Sequence, residues 1–140
     1  MVIKAKGILD LIGNTPLVET TSLIKNKNLK LLLKLEGNNP GGSVKDRPAY
    51  NMIKSALERN EISKESKLIE ATSGNTGIAL AMISSMYQLN MELVMPENST
   101  KERVQTMRAY GAKVTLTPAN DGIEGSRDYA ENKVLTEGFV

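Results

Sequence analysis

The chain has 140 residues, enough for one core, with 40% apolar and 24% charged residues and a formal net charge of +2. Its 18 basic residues are spread among 16 acidic ones, so no basic arm for nucleic acid and no polybasic membrane patch stands out. Cys and His are absent, which excludes a disulfide framework, a thiolate nucleophile, a Cys or His metal site and a Ser–His–Asp triad. Acid–base chemistry is left to Lys, Asp, Glu, Tyr or a cofactor. Met1–Asp10 has no apolar stretch followed by a small-residue cleavage site, and the longest apolar run, Ile78–Ile83, is too short to span a bilayer. A soluble, cytoplasmic chain is expected.

Taken in order, Gly7–Ile12 suggests a short helical turn stopped by Gly13 and Asn14, and Thr15–Pro16 forces extended backbone. Leu17–Leu23 is ambiguous, and Lys25–Asn28 is a polar turn. Lys30–Glu36 has the composition of a buried strand of a parallel sheet. After Asn38–Asn39–Pro40–Gly41–Gly42–Ser43, apolar residues recur at helical spacing from Val44 to Leu57. Ser43 and Asp46 resemble a capping box, and Pro48 pushes the regular helix start towards Asp46 or Arg47. Lys67–Ala71 is a further strand, Thr72–Thr76 a loop, and Gly77–Leu89 an apolar helix. Met91–Met95 is a strand closed by Pro96, and Ser99 with Glu102 resembles a second capping box opening a helix that Gly111 ends. Lys113–Thr117 is a strand, 123–136 a helix stopped by Gly138, and Phe139–Val140 the start of another strand. Strand and helix alternating in this way define an α/β fold, an open parallel sheet with helices on both faces and right-handed crossovers.

Two loops carry the candidate chemistry. Lys45 lies at a helix start, where partial positive charge disfavours an ammonium and favours a reactive amine. The plain alternative is a solvated surface lysine. Thr72, Ser73, Gly74, Asn75 and Thr76 open the next helix with hydroxyl, amide and backbone donors, suited to a carboxylate or phosphate. The plain alternative there is a βα turn with a hydroxyl cap. Both loops are expected at the carboxyl edge of a parallel sheet, where open α/β folds bind ligands. No Gly-x-Gly occurs, and Ser43 stands where a P-loop would need lysine.

Asn39-Pro-Gly-Gly-Ser-Val-Lys45-Asp-Arg47 and Glu70-Ala-Thr-Ser-Gly-Asn-Thr-Gly77, with Ile12-Gly-Asn-Thr-Pro-Leu17, Met95-Pro96 and Met107-Arg-Ala-Tyr-Gly-Ala112, resemble the cysteine synthases (O-acetylserine sulfhydrylases). These belong to the pyridoxal-phosphate enzymes that replace a β-substituent. The wording around Glu36–Pro48 and Glu70–Met82 is closer to the B type, which also uses thiosulfate. The resemblance implies that Lys45 binds pyridoxal 5'-phosphate as a Schiff base and removes the substrate Cα proton. Asn75 would contact the cofactor ring oxygen, and Thr72, Ser73, Gly74 and Thr76 the substrate carboxylate. It also implies conversion of O-acetylserine with sulfide or thiosulfate to cysteine through an aminoacrylate, a homodimer for the full-length protein, and a closing movement of roughly 91–131. No metal is implied. Family members are about twice as long, so the chain corresponds to an amino-terminal half. Residues 1–35 are then expected to pack on a further domain and 36–140 to form the lysine-bearing α/β domain. Another lyase of the family, such as a cystathionine synthase or a serine/threonine dehydratase, and a non-catalytic fragment are the rival readings.

Overall fold

The computed structural model describes residues 5–20, 23–26 and 28–140. Its elements are β1 (Leu17–Glu19), β2 (Leu32–Lys34), α1 (Asp46–Glu58), β3 (Lys67–Ala71), α2 (Asn75–Tyr87), β4 (Asn90–Pro96), α3 (Lys101–Ala109), β5 (Lys113–Thr117) and α4 (Gly122–Glu137). Strands β3, β4 and β5 form a parallel sheet in that order, with Leu68 opposite Met91 and Leu93 opposite Val114. Val140 adds to the free edge of β3. Its N–H donates to the Lys67 carbonyl at 2.9 Å, and its carbonyl accepts from Ile69 N–H at 2.9 Å. The expected strand start at Phe139–Val140 therefore pairs in parallel through its second residue.

Right-handed crossovers decide the faces. Passing from β3 to β4 to β5 puts α2 and α3 on one face, and returning from β5 to the far side of β3 puts α4 on the other. Helix α1 packs on α2 and joins the first face. The larger core lies there. Leu80 and Ile83 of α2, Ile53 of α1, Met107 of α3 and the inward residues Leu68, Met91, Leu93 and Met95 are all buried. The opposite face of β4 presents Glu92 and Val94 towards α4. Buried Ser126 shares a 2.7 Å hydrogen bond with Thr117, and Lys133 Nζ lies 3.3 Å from Glu92 Oε2. Among the described residues no helix is long and apolar enough to cross a membrane.

Three sequence expectations change. The Leu-rich run 30–36 does not enter the parallel sheet. Leu32–Lys34 pairs antiparallel with Leu17–Glu19 in a separate two-stranded sheet, extended by Leu35 N–H to the Pro16 carbonyl at 3.0 Å. All six residues of that pair are exposed. The stretch Leu17–Leu23, ambiguous in sequence, is a strand over Leu17–Glu19; Thr21 and Ser22, like Lys27 of the polar turn, lie outside the described residues. Neither capping box forms as expected. Ser43 Oγ accepts from Lys45 N–H at 3.1 Å rather than from Asp46 N–H, and α3 takes Thr100 as its N-cap without a side-chain cap bond. Helix α2 also begins two residues early, so Asn75 and Thr76 belong to its first turn. Helix α1 starts at Asp46, and Pro48 falls in its first turn, where a missing N–H costs nothing.

Candidate active site at the carboxyl edge of the sheet

Helices α1 and α2 each deliver the chain to the amino-terminal end of a strand, β3 and β4 respectively. Both run against the strands, so their N-termini share the carboxyl edge. That edge is where ligands meet open α/β sheets. Lys45 stands at the N-cap of α1, exposed, with its own carbonyl accepting from Ala49 N–H at 3.1 Å. Across the edge, β3 ends at Ala71 and Thr72 N–H donates to the Val94 carbonyl at 2.9 Å. Gly74 is the N-cap of α2, and its carbonyl accepts from Gly77 N–H at 3.1 Å. The amides of Ser73, Asn75 and Thr76 meet no acceptor among the described residues. Thr72, Ser73, Gly74 and Thr76 are half-buried and Asn75 is exposed. Free amides beside hydroxyls at a helix start suit an anionic group.

The loop before Lys45 is held by polar contacts that the sequence does not announce. Asn39 is buried. Its Oδ1 accepts from Gly13 N–H at 2.8 Å, and its Nδ2 donates to the Glu36 carbonyl at 2.8 Å and to Glu36 Oε2 at 3.0 Å. Arg47 forks onto Glu36, Nε to Oε2 and Nη2 to Oε1, both at 2.8 Å, and Nη2 also reaches the Gly13 carbonyl at 2.8 Å. Thr15 Oγ1 donates to Glu36 Oε1 at 2.8 Å, and Lys34 Nζ donates to the Thr15 carbonyl. The Arg47 guanidinium holds the Glu36 carboxyl down at about 2, with Thr15 and Asn39 adding to it against some desolvation. The only sequence signal for this network is that Gly13, Thr15, Asn39 and Arg47 lie in two motifs that carry the family resemblance together.

Asp46, expected as a capping-box partner of Ser43, makes a different contact. It is fully buried at the start of α1, and its Oδ2 accepts from Gly41 N–H at 2.5 Å. Its Oδ1 has no hydrogen-bond partner among the described residues. Burial pushes its carboxyl above the ordinary carboxylate range, and the Gly41 amide pulls partly the other way. A cleft of about 390 Å³ opens at the opposite, amino-terminal edge, beside Lys67, Glu92, Lys113 and Lys133. It is remote from both loops, and Lys113 and Lys133 are already paired to Glu92, so the chemistry is placed by the two helix starts and not by that cleft.

An exposed primary amine can capture an aldehyde, and a row of unpaired donors can hold ring oxygen and carboxylate groups. The residues present therefore fit pyridoxal phosphate, which carries both an aldehyde and anionic groups. A family profile described as pyridoxal-phosphate dependent enzyme matches residues 8–139, and the chain belongs to that family. It is 53% identical over 138 residues to a cysteine synthase B of Pseudomonas syringae pv. syringae, covering 99% of this chain and 81% of that protein. It is 54% identical over 119 residues to the cysteine synthase B of Escherichia coli strain K12, covering 85% of this chain and 39% of that protein. The solved cysteine synthase of Entamoeba histolytica superposes with a TM-score of 0.93 at 33% identity, over 96% of this chain and 41% of that one. The chain thus spans less than half the length of the second and third of these proteins.

Proposed function

We propose that the chain is the lysine-bearing part of a cysteine synthase that replaces the acetate of O-acetylserine with sulfide or thiosulfate. The observation that carries this reading is one sheet edge with an exposed amine at the start of α1 and unpaired amides at the start of α2. The identity to cysteine synthase B proteins supports the particular reaction. Lys45 would hold the cofactor covalently through its side-chain amine and, once the substrate amine has displaced that amine, would take the substrate Cα proton and return it. Asn75 contacts the cofactor ring oxygen. Thr72, Ser73, Gly74 and Thr76 receive the substrate carboxylate through hydroxyls and backbone amides. Pyridoxal phosphate, when bound, supplies the electron sink that stabilises negative charge at Cα. With sulfide the balance is simple: the Cα proton leaves to Lys45, acetate leaves Cβ, hydrosulfide adds at Cβ, and the proton returns, giving cysteine and acetate; thiosulfate, adding through its outer sulfur, gives S-sulfocysteine and acetate instead.

Residues 1–35 are assigned as a segment that packs on a further domain of the full-length protein, and 36–140 as the α/β domain. Leu17 at 60%, Leu32 at 52% and Leu29 at 56% exposure support that division, since apolar side chains at this density await a cover. A homodimer and a cytoplasmic location go with the same reading. The test is spectroscopic. Pyridoxal phosphate added to the chain gives a visible absorbance band that O-acetylserine shifts, and Lys45→Ala abolishes it. A band that persists in Lys45→Ala refutes the lysine assignment.

A further inference from the structure

We propose that Asp46 is a positioning residue for Lys45. It acts through Gly41, fixing the glycine turn from which the lysine backbone leaves. The inference rests on the reading of Lys45 as the cofactor-bearing amine, and it goes beyond that reading by assigning a role to a residue that touches neither cofactor nor substrate.

The geometry is specific. Asp46 follows Lys45 directly, yet its side chain turns back five residues to accept from Gly41 N–H at 2.5 Å. It is fully buried, which a carboxyl tolerates only where a contact makes up for lost water. That contact has no room for a larger residue. A Cβ at Gly41 would lie 2.5 Å from Asp46 Oδ1 and 3.0 Å from both Cγ and Oδ2. Gly41 does not have a positive φ, so what requires glycine there is the Asp46 carboxyl and not the backbone conformation. Gly42, with φ of +85°, completes the turn, and Asn39 closes it by accepting Gly42 N–H at 2.8 Å on its carbonyl. Three anchors then fix both sides of Lys45: Asn39 before the glycines, Asp46 across them, and Arg47 after the lysine. Asp46 alone of these touches the glycine pair through its side chain, so it sets the path of 41–45 while Asn39 and Arg47 hold the ends.

The experiment measures cofactor attachment, not turnover. The intact chain is treated with pyridoxal phosphate, trapped with borohydride, and mapped by mass spectrometry for label at Lys45 and Lys54. Lys54 is exposed on the same helix and serves as the internal control. In the unsubstituted chain Lys45 label exceeds Lys54 label by at least tenfold; equal labelling would refute the Lys45 reading itself. Asp46→Ala lowers the Lys45 to Lys54 ratio tenfold or more, and Asp46→Asn, whose amide oxygen still accepts from Gly41, restores it to within about threefold. Gly41→Ala lowers the ratio comparably, and the double variant Gly41→Ala/Asp46→Ala is no worse than either single one, because both act on one contact. A purely structural role would lower both labels, or the melting temperature, without moving the ratio. A selective unsubstituted chain whose ratio is unchanged in Asp46→Ala, or losses that multiply in the double variant, overturns the positioning role. Should Asp46→Ala fail to fold, an unchanged ratio in Gly41→Ala overturns it equally.

Discussion

Gly77 offers the sharpest test of how the α2 start is packed. It is the third residue of α2 and is buried where α3 comes closest. A Cβ there would lie 2.7 Å from Met107 Cε, 3.3 Å from Met107 Sδ and 2.9 Å from Thr72 Cγ2. Ordinary carbon contacts sit at about 3.5–4.0 Å, so Gly77→Ala must displace the buried Met107 side chain, Thr72, or both. Overpacking of this kind costs about 1–3 kcal/mol. Alanine in place of glycine returns up to ~1 kcal/mol of helix propensity. The balance is a loss of about 1–2 kcal/mol. Met107→Ala with Thr72→Ser removes all three contacting atoms, and in that background the helix gain is all that remains. Gly77→Ala then stabilises by about 0.5–1 kcal/mol. The sign reverses, and the coupling between the sites is about 2 kcal/mol. Urea unfolding of the four chains, with equal slopes checked first, measures it. A cost of Gly77→Ala that agrees within about 0.5 kcal/mol in the two backgrounds would refute the packing argument.

Other consequences follow from the same contacts. Glu36 has its carboxyl lowered from the ordinary 4.5 to about 2 by Arg47, so it contributes stability that is fully present above 4.5 and is lost as pH falls towards 2. The thermal midpoint of Glu36→Gln should lie below that of the unsubstituted chain at neutral pH, with the gap closing over that window; a gap that stays constant to pH 2 counts against the clamp. Gly42→Ala forces a side chain into φ of +85° and should cost about 1–2 kcal/mol by urea unfolding, whereas Gly37→Ala, with open space around it, should cost less than about 0.5 kcal/mol. The exposed leucines of β1 and β2 should bind a hydrophobic dye, and the double change Leu17→Ser/Leu32→Ser should cut its fluorescence by more than half; unchanged fluorescence would place the dye elsewhere.

The parallel sheet was legible because each of its strands is a short apolar run between turn residues, and Gly111, Gly122 and Gly138 adopt the positive φ that ends or turns a segment. The two loops of the candidate site were legible for a related reason. A lysine after two glycines and a row of hydroxyls before a helix are local patterns, and local patterns survive in sequence. What failed was mostly non-local, the two capping boxes excepted. Nothing in Lys30–Glu36 distinguishes a strand buried in a parallel sheet from one pairing with Leu17–Glu19, since leucine content says apolar and not which partner. Ser99 and Glu102 had capping-box spacing, but the chain entered α3 one residue later, at Thr100. The Glu36–Arg47–Gly13 network joins residues up to 34 positions apart, beyond any window in which periodicity or capping can be read.

The failed strand assignment bears on how Lys45 is placed. If β2 belonged to the parallel sheet, its own end would carry the glycine loop to the carboxyl edge, as β3 carries Thr72. It does not belong there, so strand continuity cannot set the position of Lys45. Two other links remain. Helix α1, packed on α2 and leading into β3, sets the end of the sheet at which Lys45 lies. The polar contacts of Asn39, Asp46 and Arg47 set how the loop meets that helix. The two loops are thus built differently. Thr72–Gly74 is rigid by hydrogen bonding into the sheet, through Thr72 N–H on Val94. Gly41–Lys45 has local backbone turns, such as Gly42 N–H on the Asn39 carbonyl, but no ladder bond to the sheet, and the side chains of Asn39 and Arg47 tie its ends back to Gly13 and Thr15. Residues far before the lysine therefore belong to its support. A substitution at Asn39 or Arg47 should disturb Lys45 while leaving the free amides of Asn75 and Thr76 in place.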